Sequence, residues 1–505
     1  MIVVGDAFSN QIISSPFFGF FEVSIRRAAG MIARCASSGA SVRVSGMAMK
    51  TMLQLGLVIA LALTSVSDGR AQEAPLSLDE REAVVRLQSG KASVRRDAAG
   101  KLGELKSRAA GADLVRVATT DPDATVRRAA IVALGRVGDR TRIPEMTPAL
   151  GDPNSDVRRG AIEGLVNLYI GRDPGFFTRV RSGFSKAVPF WDERNSTTVE
   201  PYDPVDPQVI AAISGLLKVE ADDGNRVAAV RALGALRAAS EIDALADAMG
   251  AHDHLKSDVL DAYVRIGDTS AARYAIPLFE SSSDDLAAQA MLTAGRLRAA
   301  DSVEPLQKIY STGGPKKGVV GTVTSVFSPE RRKAAMQALA LIGDPRSESL
   351  FLSDLYDKDP DIRQACYDGL ARMADPKFLA LVTRNGQLEK KEDVRLAQSF
   401  ALYKMGQPGL FGVLATALRN GSQREQASGY VLEADNQTHL MPFLQAPDGD
   451  AQLVVIEALG RIGDKDAVEA LRPLIRGSKP DVALAADRAV RRIEWRIANA
   501  PAPQP

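Results

Sequence analysis

Two cysteines in 505 residues, Cys35 and Cys366, write no disulfide framework. Charge of one sign is missing as well: 63 Lys and Arg stand against 62 Asp and Glu. That balance argues against a nucleic-acid-binding protein, which would show a basic excess or stripe. The chain holds three histidines. His252 and His254 flank Asp253 in a turn near Asp258, a poor preformed metal site, and His439 lies about six repeats away. There is no glycine-rich phosphate loop between a strand and a helix, no nucleophile elbow and no paired-cysteine set. We therefore expect neither a cofactor, a metal nor a catalytic residue.

Long apolar runs are also missing. The one from Leu53 to Leu63 falls short of the roughly 20 residues that span a bilayer. With Lys50 before it and Gly69-Arg70-Ala71 after it, residues 49–71 read as an export signal peptide. Residues 1–48 precede that signal, which points to a start codon at Met47 or Met49 and a mis-assigned or disordered extension upstream. Fold reasoning accordingly begins at 72, with periplasmic or secreted localisation as the expectation. Cys366 is then the only thiol.

What the sequence does have is a repeat of about 31 residues. In DPDATVRRAAIVALGRVGD (121–139), counting from Val126, apolar or small residues fall at offsets 0, 3, 4, 7, 8 and 11: Val126, Ala129, Ala130, Ala133, Leu134 and Val137. These share one face of a helix. Asp121-Pro122 reads as its start and Gly138-Asp139 as its stop. The same offsets recur from Val94, Val157, Asn225, Leu255, Leu286, Arg331, Ile362, Val394, Arg424 (weakly), Ala451 and Val482. Shorter apolar segments such as SAARYAIPLFESSS (270–283) lie between them, so each unit is helix A, turn, helix B, turn. Small residues at offsets 3, 4 and 7 let neighbouring helices approach closely. No pair buries its own apolar face, so the units must stack.

DPDATVRRAAIVALGRVGD and DPDIRQACYDGLARMAD resemble HEAT repeats, in the short form of the HEAT-like repeats of phycobilisome lyases. The resemblance covers 80–497. It implies an all-α, right-handed solenoid of about twelve antiparallel helix pairs, with helix B lining the concave side. It implies a scaffold more than any one activity.

The period breaks twice. Between Val157 and Asn225 about 37 residues are extra, within 172–206; between Leu286 and Arg331 about 14 are extra, within 312–329. The first break follows a helix B and the second a helix A, so the insertions should leave opposite rims. In the first, Phe176, Phe177, Val180, Phe184 and Val188 suit one side of a helix, with Arg179, Arg181 and Lys186 mostly off that side and Trp191 beyond. Such a stretch packs over the repeats, contacts a partner, or lies in a membrane interface. The second, TGGPKKGVVGTVTSVFSP, is either a small hairpin or a mobile loop.

A basic residue recurs at offset 1 of helix B, including Arg95, Arg127, Arg158, Arg332, Arg363 and Arg395. It forms either a row facing an acidic partner or a structural ladder to aspartates of the next repeat, with Asp121, Asp123, Asp152, Asp156, Asp359, Asp361 and Asp393 to hand. The candidate partner-binding residues are thus Phe176, Phe177, Arg179, Arg181, Phe184, Lys186 and Trp191, with Arg127, Arg158, Arg363 and Arg395. The expected function is an exported, non-catalytic scaffold that binds a protein through helix B and the rim insertions. A peripheral membrane organiser anchored by 174–191 and, behind it, a bilin-lyase-like enzyme are the alternatives. Residues 498–505 read as a disordered tail.

Overall fold

The computed structural model describes residues 76–170, 198–312, 327–445 and 448–500, together with the backbone of two short strands at 316–317 and 323–324. The export segment 49–71, Phe176, Phe177, Arg179, Arg181, Phe184, Lys186 and Trp191, and the end of the tail lie outside the described residues.

The protein is an α-solenoid. Each sequence anchor sits on or immediately before a B helix, and each unit is named here by its anchor. The Val126 unit shows why the pattern folds. Its B helix, Ala124–Val137, buries Val126, Ala130, Ala133, Leu134 and Val137. That helix packs on the preceding B helix, Ala92–Glu104, and on the next, Ser155–Ile170. Repeating this contact links one hydrophobic cluster from Ala83 to Ile493. The stack opens with Leu78–Arg86, whose Ser77–Glu80 capping box closes its start, and ends with Pro480–Ala498.

One backbone detail corrects the sequence reading. Asp121 and Pro122 lie before the B helix; its cap is Asp123, whose side chain accepts from the Thr125 amide at 2.8 Å. Asp121 instead ends the A helix Gly111–Thr120. Gly138 closes the B helix at φ +76°, as expected of a left-handed stop. Lys106, Arg237, Arg298 and Ala374 take positive φ without being glycine, three of them at the matching turn with a basic side chain. Each of these gives up about 1 kcal/mol to hold that conformation.

Helix spacing is set by a second run of small residues. A Cβ on Gly135 would stand 2.3 Å from the Gly164 carbonyl oxygen, and one on Gly295 would stand 2.8 Å from the Ala338 Cα. Offset 9 of one B helix therefore lies against offset 7 of the next at backbone contact. The A elements are shorter and often broken: Pro277 divides one into Ala272–Ala275 and a 3-10 turn Ile276–Glu280, because proline withholds an amide.

The first period break lies between the B helix Ser155–Ile170 and the A helix Pro207–Val219. The chain returns from the first beside the C-terminal ends of B helices: Arg140 holds Asp203 at 2.5 and 2.6 Å, the Tyr169 hydroxyl accepts from the Asp206 amide at 3.1 Å, and the Val199 amide donates to the Ala235 carbonyl at 2.9 Å. The second joins the A helix Val303–Thr312 to the B helix Pro329–Ile342 on the other edge. It forms a hairpin, with Lys316 paired to Thr324 and Lys317 to Val323 in antiparallel register.

Candidate functional site

Two sets of charged side chains organise the molecule. The first is a ladder on the edge where A turns into B. Arg127 grips Asp152 through Nε at 2.8 Å and Nη2 at 2.9 Å, and its Nη1 donates to the Asp121 carbonyl at 2.9 Å. Arg95 does the same to Asp121 at 2.6 and 2.8 Å, with Nη1 on the Ser89 carbonyl. Arg363 grips Glu389 at 2.8 and 3.0 Å, with Nη1 on the Asp357 carbonyl. Arg158 reaches Glu220 across the first insertion, its Nε 2.7 Å away. Every rung acid also accepts a backbone amide two residues on: Asp123 for Asp121, Asn154 for Asp152, Asp222 for Glu220 and Lys391 for Glu389. One side chain thus clamps two successive turns, the bidentate geometry for which guanidinium is suited.

The ladder acids are strongly held as anions. Arg158's hydrogen bonds, against the desolvation of a side chain with no exposed surface, bring Glu220 down to about 2. Burial would raise Asp121 and Asp152, but the Arg95 and Arg127 hydrogen bonds outweigh it and both end below the usual carboxylate range.

Arg127, Arg158 and Arg363 are therefore engaged with neighbouring repeats, and their side chains are only 14–17 % exposed. Arg395 is exposed and grips no acid among the described residues. Of the acids singled out by sequence, Asp121 and Asp152 are rungs, Asp123 is a cap, and Asp359 and Asp361 take Lys333 at 3.1 and 2.9 Å. Glu220, Glu389 and Asp357, which takes Arg332 Nη2 at 3.2 Å, were missed; a search for any acid about 25 residues after each arginine would have found Asp357 and Glu389. The ladder also corrects one register. Arg424 is a rung residue, not an anchor: its Nε donates to the Leu418 carbonyl at 2.9 Å and its Nη2 lies 3.1 Å from Asp448. Counting from Gln423 instead places Gln426, Ala427, Tyr430, Val431 and Ala434 at the buried offsets.

Between the Asn225 and Leu286 units the ladder lapses. Arg226 turns to Asp223 of its own helix, Lys256 lies 2.7 Å from Asp253, and Ala287 stands where a basic residue would. Asp258, near the two histidines, is taken by Arg231 at 2.7 Å. Cys366 is fully buried, and that burial pushes its thiol well up.

The second set lies on the inner face of the B helices and joins units far apart. Arg372 grips Glu433 at 2.6 and 3.1 Å, and Arg298 approaches the same carboxylate at 3.4 Å, 135 residues away in sequence. Tyr430 donates to Asp368 at 2.6 Å and receives Gln426 at 2.8 Å. Burial lifts Asp368 to about 6, against the pull of Arg372 and the Tyr430 hydroxyl. Farther out, Arg492 of the last helix binds Glu200, 292 residues distant, at 2.9 Å, and Glu457 at 2.6 Å. The inner face thus closes on itself from the Asn225 unit to the Val482 unit.

Comparison with protein families matches HEAT repeats at residues 82–166 and 323–424, and the PBS lyase HEAT-like repeat at 451–477. The chain carries HEAT repeats. Its fold is similar to that of an engineered protein (16% identity, 83% of this chain and 99% of that one, TM-score 0.35). It is also similar to a chain from a study of a phosphorylation switch in the interaction between cadherin and beta-catenin (13%, 87% and 95%, TM-score 0.34). A third similar chain comes from the complex of CpcE and CpcF of phycocyanin lyase from Nostoc sp. PCC7120 (18%, 66% and 98%, TM-score 0.23). No curated protein matches the sequence.

Proposed function

We propose that the protein is an exported, non-catalytic scaffold whose HEAT repeats hold a protein partner. The observation that carries this reading is the uninterrupted stack itself. A single hydrophobic cluster from Ala83 to Ile493 makes a long rigid frame, and its turns present side chains that the frame does not use.

Contact through the A-to-B rim is favoured over contact through the inner face, since Arg372, Glu433, Arg492, Glu200 and Glu457 are already paired with one another there. On that rim Thr120, Gly151, Val219, Tyr356 and Leu388, each one residue before a ladder acid, are exposed. Three of these are large and apolar: Val219 at 80 %, Tyr356 at 64 % and Leu388 at 76 % exposed. Tyr356 and Leu388 sit in adjacent units, joined by the Tyr356 hydroxyl on Asn385 at 2.9 Å. The hairpin at 316–324 leaves the same edge one unit earlier. Exposed aromatic and aliphatic side chains beside a polar rim are the composition of a protein-contact surface. Export rests on the pattern of residues 49–71.

The test is affinity capture of the tagged full chain from cell-envelope extract, against a variant carrying Tyr356→Ser and Leu388→Ser. Loss of the same partners at unchanged thermal stability supports the rim. Partners retained in full by the double variant overturn it. Recovery of the tag only inside the cytoplasm overturns export.

A further inference from the structure

The rim proposed for partner contact is not uniform along the stack. Each turn from A to B has a place four residues before its anchor, next to the rung acid. Where the ladder is complete, the carbonyl there receives the arginine's Nη1: Pro122 from Arg127, Pro153 from Arg158 and Lys358 from Arg363. In the Ile362, Val394 and Gln423 units, three in succession, that place holds Lys358, Lys390 and Arg419, all exposed. Arg419 belongs to the row because Arg424 takes the Leu418 carbonyl as Arg363 takes that of Asp357. In the other described units the place carries no charge, as at Pro122, Pro153, Ala221 and Ser282.

None of these three cations meets an acid among the described residues, because the acids of the turns are engaged within the stack. Asp357 takes Arg332, Asp359 and Asp361 take Lys333, and Glu389 takes Arg363. Exposed Glu392 and Asp393 lack a cation too, but Lys391 and Arg395, equally without an acid, offset them. In the same turns stand exposed Tyr356 and Leu388, the Tyr356 hydroxyl fixed on Asn385 at 2.9 Å.

We propose that this stretch of rim binds an extended acidic segment of a protein partner, with an acidic residue at every third position and apolar side chains between. This deepens the rim reading and depends on it. Neighbouring helices pack about 8–10 Å apart, so the cations form a row of that pitch. A polyproline II chain turns once in three residues and advances about 9 Å as it does so. Every third side chain thus returns to one face in step with the repeats, which a β-strand with its period of two cannot do. The positive row selects acids at those positions. Tyr356 and Leu388 favour apolar side chains at the positions between, which an anionic polysaccharide does not offer. Tyr356, already held by Asn385, gives up little freedom on binding.

The probe is a fluorescent peptide of five Glu-Pro-Leu repeats, followed by anisotropy against the full chain at pH 7.5 and low salt. Saturable binding is expected. Combining Lys358→Ser with Lys390→Ser, both exposed and outside the rungs, should weaken it by about tenfold or more. A peptide of the same composition with its glutamates in one block should bind more weakly than the repeat. Binding no tighter than that of a Lys-Pro-Leu counterpart or of the block peptide, or binding unchanged in the lysine variant, overturns the proposal. So does retention of phosphatidylglycerol vesicles through the same lysines with no binding of the peptide. If the peptide is ignored while Tyr356→Ser with Leu388→Ser still loses its captured partners, the acid pattern has failed and the rim reading stands. If those partners are retained as well, both have failed.

Discussion

The rim ladder and the inner closure are both made of arginine and acid, yet they hold the molecule in different ways. Each rung joins a repeat to the next one and lies 24 to 26 residues apart or one insertion farther, and Arg95, Arg127, Arg158 and Arg363 repeat the same three hydrogen bonds. The closure joins units 61, 135 and 292 residues apart, and although Arg372 on Glu433 and Arg492 on Glu200 use the same Nε–Nη2 fork as the rungs, no fixed spacing relates its contacts. The ladder sets the angle between neighbours. The closure sums all those angles and fixes where the stack ends. A local error in the ladder is felt at one interface, whereas loss of a closure pair alters the curvature of the whole array.

The largest effect should come from cutting a rung. Arg158→Ala leaves Glu220 covered and without its cation, which costs about 3–5 kcal/mol. Chemical denaturation of the full chain reads this directly, and a loss under 1 kcal/mol would make the ladder incidental.

Acid gives the next effect and separates the two sets by sign. Glu220 is held near 2 in the folded chain against an ordinary 4.5, so its contribution is present above pH 4.5 and disappears as pH falls towards 2. The loss is about 3 kcal/mol. It should vanish from the difference between pH 5 and pH 2 in Arg158→Ala.

Asp368 behaves oppositely. Its carboxyl is raised to about 6 from 3.8, so its favourable contribution exists below 3.8 and is lost as pH rises through 6. Asp368→Asn keeps an acceptor for Tyr430 and should gain about 1–2 kcal/mol at pH 7.5, with no gain at pH 3.5. A loss at pH 7.5 would mean that the charge of Asp368 is needed by Arg372.

Smallest in stability is Arg492→Ala, about 1 kcal/mol for a pair with partial solvent access. Its signature is shape. The radius of gyration by small-angle scattering should rise while helicity stays constant, and Arg158→Ala under native conditions should show no such rise. An unchanged radius would mean that packing, not the Arg492–Glu200 pair, closes the array.

The sequence by itself determined the repeat. A 3.6-residue period fixes which face of each B helix is apolar, so Val126, Ala130, Leu134 and their counterparts had to be buried whatever lay around them. It determined the rungs nearly as well, because an arginine and an acid one repeat apart meet whenever adjacent repeats stack in register. The misreadings were of that same local kind: Asp121 taken for a cap, and Arg424 counted one position early in a unit whose apolar pattern is interrupted by Gln426 and Ser428. What only the tertiary structure decided is the inner face. Whether Glu200 meets Arg492 depends on small inter-repeat rotations added over many units, and on how the chain returns from the first insertion. No pattern within a repeat encodes that sum. The physical reason is that solenoid curvature accumulates, so contacts between neighbours are written in the period, while contacts across the array depend on all the periods between.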